Sequence, residues 1–230
     1  MPRIGKKQGR VFCSLRMFFI AILLLLLIPQ NAQADYFVFE DAKSGITLSY
    51  PDTWKQQNNK NPADTLTIAA PSGNDRAQCV VKNHPDHRYT IYPAEYGSAI
   101  QKSAVSLTFW KSYMRHYDDY TLNNVYDGGG LGRWHVSYAF ASYTTHNGTA
   151  LETRRAIMFA SLYHDTVFIV ECSALNAAYN TWENNFKSII KSIDFKKNYH
   201  ENSQGDYAQF IKDLDLYFGT QTNGAGTVEY

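Results

Sequence analysis

The sequence predicts an α+β fold, an antiparallel β-sheet with amphipathic helices packed on it. Three observations lead there. Short runs with strand-forming or alternating apolar residues recur from Tyr36 to Ala174, separated by Gly, Pro and Asn-Gly breaks. Two segments, starting near Pro93 and Ala177, switch to apolar spacings of three and four, the helical period. The connections between the later strands are too short for parallel crossovers, which need about a dozen residues or more, so these strands run antiparallel.

The first strands are Tyr36 to Glu40 and Ile46 to Tyr50, split by a glycine-containing turn, with Ile46, Leu48 and Tyr50 on one face. TLTIAAPSG and AQCVVKNHP supply two more, closed by Pro71 and Gly73 and by Pro85, and the polar residues 58–64 before them read as an exposed loop. From Pro93 to Tyr117 the residues Tyr96, Ile100, Ala104, Leu107, Trp110, Met114 and Tyr117 predict one helix of about six turns, with Pro93 in its first turn. YTLNNVYDGGGLG then reads as a strand and glycine-rich bend, and RWHVSYAFASYTT as a strand with Trp134, Val136, Tyr138 and Phe140 on one face. Asn147-Gly148 signals a hairpin; LETRRAIMFASLY returns, and Asp165 turns it into TVFIVECSA. Tyr179, Trp182, Phe186, Ile189, Ile190 and Ile193 mark the second helix, so that the domain closes near Phe195. Beyond it, a shorter helix is expected from Asp206 to Phe218, with a disordered end after it.

The segment GITLSYPDTWK carries the one local motif. Pro51 cannot donate to a ladder and ends its strand, Asp52 and Thr53 offer the turn, and Trp54 can fold its ring back as a staple over the sheet. A recognition role for an exposed Trp54 is the alternative. With this segment and the order of strands, long helix, four-strand meander and closing helix, residues 36–195 resemble the PsbP-like superfamily, which includes exported bacterial proteins of the DcrB type. The resemblance implies an antiparallel sheet flanked by helices on both faces, an α/β/α sandwich, and a role in docking or assembly.

The first 34 residues predict export. Five basic residues and no acidic one precede an apolar run of 12 residues, Met17 to Ile28, too short to span a bilayer comfortably; QNAQA then offers an Ala-x-Ala cleavage pattern at Ala32 and Ala34. The expected domains are a cleaved signal peptide over residues 1–34, the folded domain over 35–195 and an extension over 196–230. An uncleaved anchor is the competing reading, and nothing later in the chain is apolar enough to insert in a membrane. Five of the 22 basic residues and none of the 21 acidic ones lie in the leader, so the remainder has a net charge near −4 and no basic cluster. That argues against nucleic acid or an anionic membrane as partner. In an oxidising compartment Cys79 and Cys172, each inside an apolar run, are either a disulfide or two free buried thiols.

No catalytic, cofactor or metal set emerges. DGGGLGRW lacks the Gly-Lys-Ser/Thr ending of a phosphate loop and precedes a strand where that motif needs a helix. NHPDHR groups His84, Asp86 and His87, weak evidence for a metal and better read as a solvated turn. Asp118-Asp119 and Asp213/Asp215 read as surface acids, and no serine lies in a Gly-x-Ser-x-Gly elbow. Asn147-Gly148-Thr149 matches a glycosylation acceptor but reads as the hairpin turn. Aromatic residues make up 15% of the chain, and Tyr89, Tyr92, Tyr96, Tyr113, Tyr117, Tyr120 and Tyr126 crowd the long helix and its flanks, either covering a thin sheet or forming a contact surface. The expected function is therefore a non-catalytic, periplasmic or secreted accessory factor that binds an envelope protein. A small-ligand protein with a pocket between sheet and long helix, and a hydrolase with an unfamiliar site, are the alternatives.

Overall fold

The computed structural model describes residues 35–59, 61–93 and 96–197. The leader and the expected helix at 206–218 lie outside the described residues. The described residues from Asp35 to Lys197 belong to one compact unit, and β-structure dominates them. Strands β1 (Tyr36–Glu40), β2 (Ile46–Pro51), β3 (Lys55–Gln57), β4 (Asp64–Ala69) and β5 (Gln78–Pro85) precede helices α1 (Gly97–Ala104) and α2 (Leu107–Met114). The meander follows as β6 (Asp119–Leu131), β7 (Trp134–Asn147), β8 (Ala150–Tyr163) and β9 (Thr166–Leu175), then α3 (Tyr179–Lys191) and β10 (Asp194–Phe195).

These strands form two antiparallel sheets where the sequence suggested one. β1-β2-β10 is a small sheet, and β3-β4-β5-β9-β8-β7-β6 a seven-stranded one. β3 and β10 have no counterpart among the sequence expectations, because two or three residues carry no readable period; the pairing of Asp194 with Thr47 exists only through the tertiary contact.

The expected six-turn helix is two helices. Val105, fully buried, donates its N–H to Gln101 O at 2.9 Å to close α1, and Ser106, extended at φ −82° and ψ 178°, opens α2 as its N-cap residue. The three-and-four period runs through the break because residues of both helices share one buried cluster on the seven-stranded sheet. α1 is tied down by Gln101, whose Nε2 donates to Ala160 O while its Oε1 accepts from Leu162 N. The Leu162 N–H needs such a partner because the β7–β8 ladder ends at Ser137–Ala160.

Alternation along β7 divides the core. Val136 and Tyr138 join Trp54, Phe159, Phe168 and the α3 residues Tyr179, Phe186, Ile189 and Ile190. Ala139, Ala141 and Tyr143 join Met158, Ile169 and the α1–α2 residues Ala104, Val105, Trp110 and Met114. Period-two patterning thus gives the central strands β7, β8 and β9 two buried sides.

The glycine cluster is strand to its end: β6 runs on to Leu131, with register shifts at Leu122/Asn124 and Tyr126/Gly129. The sharp turn falls at Gly132, where φ is +56° and a Cβ would stand 2.8 Å from the Asp194 Cα. At the β7–β8 hairpin, Gly148 (φ +63°) supplies the turn, and Asn147 Nδ2 donates to Glu152 Oε1.

Candidate functional site

Trp54 is 2% exposed. Its backbone N–H donates to Pro51 O at 2.9 Å, closing the turn after β2, while Asp52 N donates to Asp35 O. The ring meets Trp182 and Phe186 of α3 edge-on, at centroid distances of 5.7 and 6.1 Å. The motif thus joins β2 to α3. Cys79 and Cys172 are a disulfide, on directly opposed positions of β5 and β9.

Of the residues singled out for metal binding, His84 lies on β5 opposite Val167, and Asp86 and His87 have other partners. Arg88 clasps both oxygens of Asp86 at 2.8 and 2.6 Å, and His87 Nδ1 lies 3.7 Å from Asp165. Asp118 faces His146 at 3.5 Å, and Asp213 and Asp215 lie outside the described residues.

What the sequence reading missed is a buried carboxylate. Glu171, in the middle of β9 and 4% exposed, accepts hydrogen bonds from three phenols: Tyr143 at 2.5 Å, Tyr117 at 2.7 Å and Tyr113 at 2.9 Å. Lys82 on β5 donates to the Tyr113 hydroxyl at 2.7 Å, and the Tyr117 and Tyr143 rings stack 3.8 Å apart. Desolvation pushes the Glu171 carboxyl up, but the Lys82 charge and the three hydroxyls together outweigh it and hold it below the usual range. Desolvation, then the Glu171 charge, push all three phenols well above theirs. A carboxylate so stabilised is a weak base, and phenols so shifted are weak acids at neutral pH. The cluster holds one buried negative charge among three phenols, with Lys82 behind Tyr113. Its signal was present in the sequence: a glutamate in VFIVECSA and a lysine in AQCVVKN are charges inside strands with buried neighbours, and each requires a partner.

Glu171 sits at one wall of a cleft of about 330 Å³ on the face of the seven-stranded sheet that also carries α1 and α2. Thr67, Val80, Lys82 and Arg154 line the cleft from the strands, with Tyr117 and Tyr143 next to Glu171. The tyrosines divide accordingly. Tyr113 and Tyr117 turn inward to Glu171 and Tyr126 stacks on Tyr138, whereas Tyr92 and Tyr96 are each 52% exposed beside Ile91.

Neither a family model nor a curated protein sequence matches the chain. Among solved structures the chain is similar to a cyanobacterial PsbP (CyanoP) from Synechocystis sp. PCC 6803, at 15% identity over 72% of this chain and 95% of that one, with a TM-score of 0.46. It is also similar to LpqN, involved in cell envelope biogenesis of Mycobacterium tuberculosis, at 15% identity over 73% and 94% with a TM-score of 0.44. The Saccharomyces cerevisiae Ran-binding protein Mog1p follows at 8% identity over 71% and 96%, with a TM-score of 0.41. At these values the likeness carries no residue role or activity to this chain.

Proposed function

We propose that residues 35–195 are an exported, non-catalytic accessory domain that binds another protein of the envelope, with residues 1–34 a cleaved signal peptide and 196–230 an appendage. The observation that carries the binding reading is the segment before α1, where Ile91 is 83% exposed and Tyr92 and Tyr96 half exposed within six residues. Large apolar and tyrosine side chains held in water at one place are the composition of contact surfaces. Export is supported by the leader pattern and by the Cys79–Cys172 disulfide, a bond that persists in oxidising compartments. The α/β/α layering belongs to this reading too, supported by the division of the core between an α1–α2 set and an α3 set. A photo-crosslinking residue at Tyr92 in intact cells should give a discrete protein adduct that the same residue at exposed Thr181 does not. Absence of such an adduct from both Tyr92 and Tyr96 overturns the reading. Small-ligand binding is the second reading, favoured by the 330 Å³ cleft, which lies over β4, β5, β8 and β9.

A further inference from the structure

The charges lining the cleft are not all answered. Glu171 has its three phenols and Lys82 behind Tyr113, and Glu152 has Asn147 Nδ2 at 2.8 Å and Arg76 Nε at 3.5 Å. Arg154 on β8 has no carboxylate within ion-pair distance among the described residues. It is 5% exposed, and its Nη2 donates to the Arg76 carbonyl at 2.6 Å, the Ser173 carbonyl at 3.2 Å and the Ser173 hydroxyl at 2.9 Å, all neutral acceptors. Its Nε has no partner among the described residues. Asp64, the remaining lining carboxylate, belongs to the other end of the cleft: it pairs with Lys82, four residues along β5 from Gln78, the partner of Ser173, a separation of roughly 13 Å. A buried guanidinium whose donors meet only neutral oxygens lacks a charge-assisted bond, and an entering carboxylate supplies one.

We propose that the cleft is a binding site for a small organic carboxylate, held by the Arg154 guanidinium beside Thr67 and Gln78. A volume of about 330 Å³ is at the low end for ligand sites and suits a small acid or the last residue of a peptide. The site is separate from the exposed Ile91–Tyr96 segment, and stands or falls independently of protein binding there.

The test is the Arg154 Nε–H cross-peak of the 15N-labelled protein. It is titrated with acetate, succinate, N-acetylalanine and N-acetylalanine amide at an ionic strength balanced with sodium chloride. The peak, assigned by its loss in Arg154→Lys, should move saturably with the carboxylates, at half-saturation of about 1 to 10 mM, and stay put with the amide and with chloride. Tighter saturation by N-acetylalanine assigns the carboxylate to a peptide terminus, and tighter saturation by succinate assigns it to a free acid. Gln78→Glu, which sets a carboxylate opposite Ser173, should abolish the response while preserving a cooperative melt; it also carries the assignment if Arg154→Lys does not fold. A peak that moves equally with the amide or chloride, that stays still throughout, or that responds unchanged in Gln78→Glu overturns the site.

Discussion

Tyr143 on β7 reaches across β8 to donate its hydroxyl to Glu171 on β9, at 2.5 Å. The bond spans two strand spacings over one face of the sheet, and it is met there by Tyr113 and Tyr117, at the end of α2 and just beyond it. One carboxylate thereby ties the central sheet to the helical layer beside it. Glu171→Gln replaces two acceptor oxygens by one acceptor and one donor facing hydroxyls that already donate. It should lower stability by about 3 kcal/mol in denaturant melts. Tyr117→Phe, which leaves two donors in place, should cost only about 1 kcal/mol.

The same cluster sets a pH response with a definite sign at each end. The folded-state pKa of Glu171 lies below its ordinary 4.5, so its stabilisation is complete above that value and is lost as pH falls below it toward the folded pKa. The wild type should therefore lose stability more steeply below about pH 4.5 than Glu171→Gln. Equal slopes in acid melts would remove the charge from the argument.

At the alkaline end, the phenols of Tyr113, Tyr117 and Tyr143 are raised above their ordinary 10.0, so their contribution is intact below that pH and declines above it. Phenolate absorbance should show a group of tyrosines that ionise only as the fold is lost. A smooth titration of every tyrosine before unfolding would contradict the buried cage.

Trp54→Ala removes a ring packed on Trp182 and Phe186 and leaves a cavity, at an expected cost of ~3 to 5 kcal/mol. A change below ~1 kcal/mol, with an unaltered denaturant slope, would show that the ring is not the link between β2 and α3.

Reducing the Cys79–Cys172 bond opens a link across 93 residues of chain, worth ~4.6 kcal/mol in the chain-entropy account. The Cys79→Ser/Cys172→Ser variant should lose a similar amount. Wild type and variant melting alike under non-reducing conditions would exclude that contribution.

The sequence by itself determined the elements whose signal is local. Alternation at Ile46, Leu48 and Tyr50 marked β2, Asn147-Gly148 marked the β7–β8 turn, and the spacing of Tyr179, Phe186, Ile189 and Ile190 marked α3, because period and turn chemistry are set by neighbours along the chain. Pro51 and Trp54 could be read as a strand end and a staple for the same reason. Tertiary structure alone decided that β1, β2 and β10 separate from the larger sheet, that the helical period from Tyr96 to Tyr117 breaks at Ser106, and that Cys79 lies opposite Cys172. It also decided the site: Lys82, Tyr113, Tyr143, Arg154 and Glu171 are scattered over some 90 positions, and although Lys82 and Glu171 stand out as charges inside apolar strands, nothing in either segment names the partner. Their meaning arises from strand register and from desolvation, which turns isolated charges into groups that must find partners, and neither quantity is a property of a local stretch of sequence.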